Sequence, residues 1–220
     1  MRAELRTLPG DLADAVARRL VAAGLAEEPA QAYEYALAAR QLAARVGIVR
    51  EACGVAAYQA GRWAEALAEL RTARRLTGRA GYLPLMADCE RALGRPDRAL
   101  AIIKDSAAGD LPREVQIELR IVESGIRRDE GKPAAAVVAL QVPELTDGRI
   151  RSWSARLFYA YADALLEAGQ EQAARDWFGR AAAADETEQT DAAERFENLD
   201  SIVIEDLDET AGDPPGPGQD

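Results

Sequence analysis

Four segments of this 220-residue chain resemble one another in a short pattern, a glycine followed five residues later by an alanine. The recurrences are 33, 37 and 38 residues apart and begin at Gly61, Gly94, Gly131 and Gly169. Glycine often ends a helix, and alanine allows two helices to approach closely. A recurrence with a period in the thirties is therefore typical of helical repeat proteins, in which each repeat is one pair of helices.

The composition agrees with helix-on-helix packing. Hydrophobic residues make up 48% of the chain, many of them alanine, and aromatic residues only 5%. A β-sandwich would need more β-branched and aromatic residues, so we expect an all-α fold. With the repeated alanine as register mark, five helical hairpins are predicted near residues 12–46, 47–79, 80–114, 115–150 and 151–184.

The second unit shows how a hairpin is predicted to form. Its first helix should run from Gly47 to Ala60, and Gly61 should end it in the left-handed region. The second helix should run from Trp63 to about Leu76. Gly54 and Ala66 should lie where the two helices cross, because only small side chains permit close approach there. At the start of the array, Asp11 is predicted to cap the first helix.

These positions resemble the tetratricopeptide repeat (TPR) family, whose 34-residue hairpins place small and large residues at set points. The resemblance is carried in the second unit by Gly54, Ala66, Leu70 and Ala73, and in the fifth by Phe158, Ala162, Ala174, Phe178 and Ala181. It implies an α-solenoid of about five TPR-like helix-turn-helix hairpins over residues 1–184. The alanine- and arginine-rich, lysine-poor composition also resembles that of actinobacterial proteins.

The resemblance also implies a concave groove, lined by the first helix of each hairpin, that binds an extended peptide. The groove residues it implies are Glu51, Val55, Tyr58, Asp88, Arg91, Arg128, Arg156, Tyr159 and Asp163. Members of the family that hold chaperone tails use lysine, asparagine and arginine at positions where this chain has Ala17, Val21, Pro84 and Ile121. Binding of a chaperone tail is therefore not expected.

The C-terminal region differs from the rest in its charge. Residues 185–220 contain 13 of the 38 acidic residues and one of the 27 basic ones, which leaves 25 acidic against 26 basic elsewhere. Within 185–207 we predict an acidic capping helix that starts at Asp191, followed by an extended segment. The apolar face of this predicted helix would carry Ala192, Phe196 and Leu199. Residues 208–220 are predicted to be a disordered acidic tail, and segment 197–209 could dock back onto the groove.

Enzymatic chemistry finds little support in the sequence. The chain has no histidine, the usual general base at neutral pH. The carboxylate pairs Asp88/Glu90 and Asp129/Glu130 are not spaced to share a helix face, and solvated surface acids are the favoured interpretation. No phosphate loop, nucleophile elbow or metal-ligand spacing is present, so no enzyme, cofactor or metal is expected.

Other interactions are also limited by the sequence. The basic pairs Arg74-Arg75 and Arg127-Arg128 form too short a stripe for nucleic-acid binding, so a nucleic-acid partner is not expected. No apolar stretch is long enough for a membrane span, and the N-terminus lacks the apolar region of a signal peptide, so a cytoplasmic protein is expected. Cys53 and Cys89 are expected to be buried structural thiols.

Two functions remain open. The first is a non-catalytic scaffold or adaptor that binds a protein or peptide partner in the groove. The alternative is a regulatory sensor that binds a peptide or small ligand through the same groove.

Overall fold

The computed structural model describes residues 2–107 and 109–199, and within these ranges the protein is all-α, with no β-strand. The helices are α1 (Arg2–Leu5), α2 (Gly10–Leu25), α3 (Pro29–Leu42), α4 (Gly47–Gln59), α5 (Trp63–Thr77), α6 (Leu83–Ala92), α7 (Pro96–Ala107), α8 (Arg113–Asp129), α9 (Pro133–Leu140), α10 (Ser154–Glu167), α11 (Glu171–Ala184) and α12 (192–199). Short 3-10 turns lie at Ala80–Tyr82 and Pro143–Leu145.

Four of the turns between paired helices are built in the same way. The repeated glycines Gly61, Gly94, Gly131 and Gly169 all have φ between +69° and +73°. In each turn the N–H of the residue after the glycine donates to the carbonyl five residues back, at 2.8–2.9 Å. This hydrogen bond closes the helix in a Schellman motif. The prediction that these glycines end the first helices in the left-handed region is confirmed.

The first pair of helices is joined differently. Helix α2 ends at Leu25, and Ala26 is extended (φ −71°, ψ 128°), with no glycine at the turn. The prediction that Asp11 caps this helix is wrong. The helix begins one residue earlier, at Gly10, with Pro9 at the N-cap position. Asp11 therefore lies within the first turn, where its charge favours the helix dipole without capping it.

The chain divides into two compact units, Met1–Val122 and Glu123–Asp220. In the first unit, each helix from α2 to α6 packs against the next helix along the chain, so that the series ends at α7. In the second unit, α10 packs against both α9 and α11. Packing between neighbours in sequence is characteristic of repeat architectures.

The centre of the first unit is the crossing of α4 and α5. Gly54 lies so close to α5 that a Cβ on it would be 2.8 Å from Cγ of Leu70. Ala66 and Ala73 are fully buried in the same cluster of apolar residues. The predicted role of small residues at this crossing is confirmed, because no larger side chain fits between the two helices as they stand.

An N-terminal contact joins distant parts of the first unit. Oε2 of Glu4, just inside α1, accepts a hydrogen bond from the backbone N–H of Ile48 at 3.2 Å. Its other oxygen is 2.6 Å from the guanidinium of Arg79. Glu4 thus satisfies one of the free N–H groups at the start of α4, the task that a local N-cap residue usually performs. Helix α1 itself was not predicted.

In the second unit, α12 packs on α11. Ala192 is buried, and Phe196 lies where a Cβ on Gly179 would be 3.1 Å from its ring. The N–H of Arg195 donates to the carbonyl of Asp191 as the helix begins. The predicted start of a terminal helix at Asp191 is therefore confirmed. The predicted extended segment after this helix and the tail 208–220 lie outside the described residues.

Candidate binding surface

Three of the predicted groove residues of the first unit, on α4 and α6, are hydrogen-bonded to one another. The hydroxyl of Tyr58 on α4 donates to Oδ2 of Asp88 on α6, at 2.5 Å. Oδ1 of Asp88 accepts from Nε of Arg91 at 2.7 Å. Both oxygens of this carboxylate are therefore oriented by fixed donors, while the side chain keeps 15% of its surface exposed.

A second link joins α4 to the 3-10 turn that precedes α6. Glu51 accepts a hydrogen bond from the hydroxyl of Tyr82 at 2.6 Å and one from Arg79 at 3.1 Å. Burial, and then the hydrogen bond to Glu51, raise the pKa of Tyr82 above its ordinary value, so its hydroxyl keeps its proton and acts as the donor. We call Glu51, Tyr58, Tyr82, Asp88 and Arg91 the first polar patch.

Not every predicted groove residue of this unit is polar or open. Val55 is partly buried and packs against the apolar cluster beneath the patch. The ring of Tyr58 meets Trp63 edge to face, with centroids 5.2 Å apart. Trp63 therefore fixes the ring of Tyr58, and Asp88 fixes its hydroxyl.

In the second unit, Arg128 of α8 reaches two carboxylates on α10. Its guanidinium is 3.1 Å from Asp163 and 2.6 Å from Glu167. The hydrogen bond to Glu167 is the main cause that raises the pKa of Arg128 above its ordinary value. Arg156, also predicted for the groove, is exposed on α10 one turn before Tyr159.

Helix α12 adds a further arginine to this site. The guanidinium of Arg195 is 2.9 Å from Asp163 and donates to the hydroxyl of Tyr159 at 3.3 Å. It also lies over the ring of Phe178, 4.6 Å from its centroid. Burial is the largest cause that raises the pKa of Tyr159 to about 12. We call Arg128, Tyr159, Asp163, Glu167 and Arg195 the second polar patch.

The sequence interpretation found most of these residues but missed how they pair. It placed Tyr58, Asp88, Arg128 and Asp163 on binding faces and overlooked Tyr82, Glu167 and Arg195. A signal was present, because the hydrogen-bonded partners are separated by about one repeat: 30 residues for Tyr58 and Asp88, and 35 for Arg128 and Asp163. Complementary side chains at that spacing predict contact between successive first helices.

One prediction about acidic residues is wrong. Glu90 was expected to be a solvated surface acid, but its side chain is 0% exposed and forms an ion pair with Arg71 at 2.5 Å. It faces the preceding helix, α5, where water is excluded. Glu69 is similarly buried between two arginines, Arg40 and Arg50, each at 2.6 Å. By contrast, Asp129 and Glu130 are exposed, in agreement with the prediction for that pair.

The two thiols are expected to be inert in the folded protein. Cys53 and Cys89 are fully buried, and burial raises their pKa values to about 11 and about 12. Because the thiolate is the reactive form, a disulfide reagent at pH 8 should modify both cysteines on the order of 100-fold more slowly in the native protein than in denaturant. Rapid modification of either thiol without denaturant would show that it is not buried in this way.

The fold defines an all-α protein of helical-repeat-like architecture. In the part of the chain that the structure describes, no helix combines the length and apolarity needed to cross a bilayer. In the same residues, no three His, Cys, Asp or Glu side chains are grouped to hold a metal ion. Neither protein-family models nor curated proteins give a match to the chain.

Proposed function

We propose that this protein is a non-catalytic scaffold or adaptor that binds a protein or peptide partner through the first helices of TPR-like hairpins, with the first polar patch as the main contact. The resemblance of the second and fifth units to TPR hairpins supports the proposal. So does the collection of predicted groove residues on α4 and α6. The observation that carries it is the carboxylate of Asp88, oriented from two sides and still open to solvent.

The chemistry of the patch suits an uncharged stretch of peptide. Glu51 and Asp88 are paired with Arg79 and Arg91, and Arg79 also pairs with Glu4, so the patch offers oriented donors and acceptors with a small net charge. Side chains already fixed by their neighbours lose little conformational freedom when a ligand binds. Tyr58 adds a flat surface for stacking beside its hydroxyl. Recognition through hydrogen bonds and stacking should depend only weakly on salt.

The alternative is a regulatory sensor that uses the same surface for a peptide or small ligand. It is favoured by the hydrogen bonds that join α4 to α6 and to the 3-10 turn before it, because a ligand that replaced them would change how successive hairpins are held together. The two functions differ in their consequence. A scaffold keeps its conformation when the partner binds, whereas a sensor changes it.

The test is selection from a random peptide library on the full chain. We expect selected peptides to bind about tenfold more weakly to Tyr58→Phe, which keeps the ring but removes the hydroxyl that orients the Asp88 carboxylate for the peptide. Tyr35→Phe is the matched control, since Tyr35 is exposed on α3 away from the patch. The proposal fails if no peptide is selected, or if the control weakens binding as much as Tyr58→Phe does.

A further inference from the structure

Helix α12 packs on α11 and contacts two residues of α10, Tyr159 and Asp163, that the family resemblance assigned to the groove. Its Arg195 occupies Asp163 and Tyr159 of the second polar patch, at 2.9 and 3.3 Å. Phe196 rests on Gly179, with the guanidinium of Arg175 4.7 Å from the centroid of its ring. The chain therefore places one of its own helices where the groove implied by the resemblance would receive a partner.

The attachment of α12 buries little apolar surface, although Asp191, the residue before the helix, also accepts a hydrogen bond from Tyr159. Ala192 is its only fully buried residue among those described, and Phe196 and Leu199 are half-buried. Its ion pair with Asp163 leaves the side chain of Arg195 32% exposed. Elements with few buried apolar contacts open locally at lower free energy than the rest of a domain.

Release of α12 would leave no charge buried without a partner. Asp163 would keep its ion pair with Arg128, at 3.1 Å, and Arg195 would enter water. This matters because an unpaired buried charge is the usual obstacle to separating an ion pair.

The turn before α12 is suited to act as a hinge. The turn is closed by Asp185, whose two carboxylate oxygens accept hydrogen bonds from the backbone N–H groups of Gln189 and Thr190 at 2.9 and 2.8 Å. Within it, Glu188 has φ +52°, a left-handed conformation that is unfavourable for a residue with a side chain. Opening the turn would relieve this conformation.

We propose that α12 is a displaceable latch on the second polar patch, and that the partner accepted there is an amphipathic helix that carries an arginine followed by an aromatic residue. This pattern is the one found in α12, where Ala192 lies three positions before Arg195 and Phe196 follows the arginine. The arginine is specified by Asp163, Tyr159 and Phe178 together, because a guanidinium donates to oxygens in its plane while its flat face stacks on a ring, whereas an ammonium has no flat face to stack. The inference rests on the proposed function, as a regulation of its second patch.

The first experiment measures hydrogen exchange of the full chain. Amides of α12 should exchange faster than those of α10 and α11. Arg195→Ala should accelerate them about tenfold or more without changing α10 and α11, since it removes hydrogen bonds to a charged group. Glu194→Ala, an exposed neighbour on the same helix, is the control and should change nothing. If α12 exchanges as slowly as α10 and α11, it is a permanent part of the unit and the latch does not exist.

The second experiment adds a synthetic peptide of residues 188–199 to full-length protein. The Arg195→Ala protein should bind this peptide at least about tenfold more tightly than the wild type, whose own latch competes at high effective concentration. A peptide with lysine in place of the arginine should bind more weakly. Equal binding of the peptide to both proteins, or of both peptides to the variant, would overturn the proposal. Neither experiment uses the first patch, so a failure here is separate from a failure of the library selection.

Discussion

Replacing Leu70 by alanine is expected to lower the free energy of unfolding of the first unit by about 3–4 kcal/mol. Leu70 is fully buried at the crossing of α4 and α5. Truncation of such a leucine loses its transfer free energy and leaves a cavity that the neighbouring helices fill only in part. Hydrogen exchange of the α4 and α5 amides measures this loss within the unit that the substitution affects.

Gly54→Ala provides the control for this prediction. Its new Cβ would lie 2.8 Å from Cγ of Leu70, so alone it should cost about 1–3 kcal/mol through overpacking. In the double variant the shortened side chain at position 70 makes room for the new methyl group. The combined loss should therefore be smaller than the sum of the two single losses. Additive losses would mean that the two residues do not meet at the crossing.

Glu69→Ala is expected to destabilise the first unit by about 3 kcal/mol. Glu69 is the shared partner of Arg40 on α3 and Arg50 on α4, and its side chain is only 7% exposed. Removing one partner of a buried ion pair leaves the other charges uncompensated, which costs more than the pair itself contributes. We expect the lower end of the usual range, because both arginines retain some contact with water. Chemical denaturation of the full chain measures the effect.

Two matched variants identify the cause of this loss. Glu69→Gln keeps the shape of the side chain and one of its two acceptor oxygens, and should destabilise less than Glu69→Ala. Glu65→Ala, on the same helix, removes a solvent-exposed pair with Arg62 and should have little effect. If Glu69→Ala were as mild as Glu65→Ala, the three-helix ion cluster would not contribute to the stability of the unit.

The turns and the helix crossing could be predicted from the sequence because their causes are local. Four of the hairpins combine a left-handed glycine at the turn with an alanine in the second helix, so the spacing of the two indicates the repeat directly. Gly61 and Ala66 are this pair in the second unit. Asp11 is not the cap, because the helix begins one residue earlier, at Gly10, with Pro9 at the N-cap position.

The polar contacts could not be predicted from local pattern because they depend on which helix lies opposite. Glu90 is buried by α5, where its partner Arg71 lies 19 residues earlier in the chain. The carboxylate of Glu4 reaches the start of α4 across 44 residues. The candidate site shows the same limit. Its residues could be assigned to the first helices, but their pairing depends on the packing of one hairpin against the next.

Hydrogen-exchange footprinting with a library-selected peptide shows whether the first helices of the hairpins bind the partner. Exchange of the full chain is compared with and without the peptide, helix by helix. We expect slower exchange in α4 and α6, which carry the first polar patch, and no change in α5 and α7. Protection of α5 and α7 with α4 and α6 unchanged would contradict this expectation, because the partner would then bind the opposite helices.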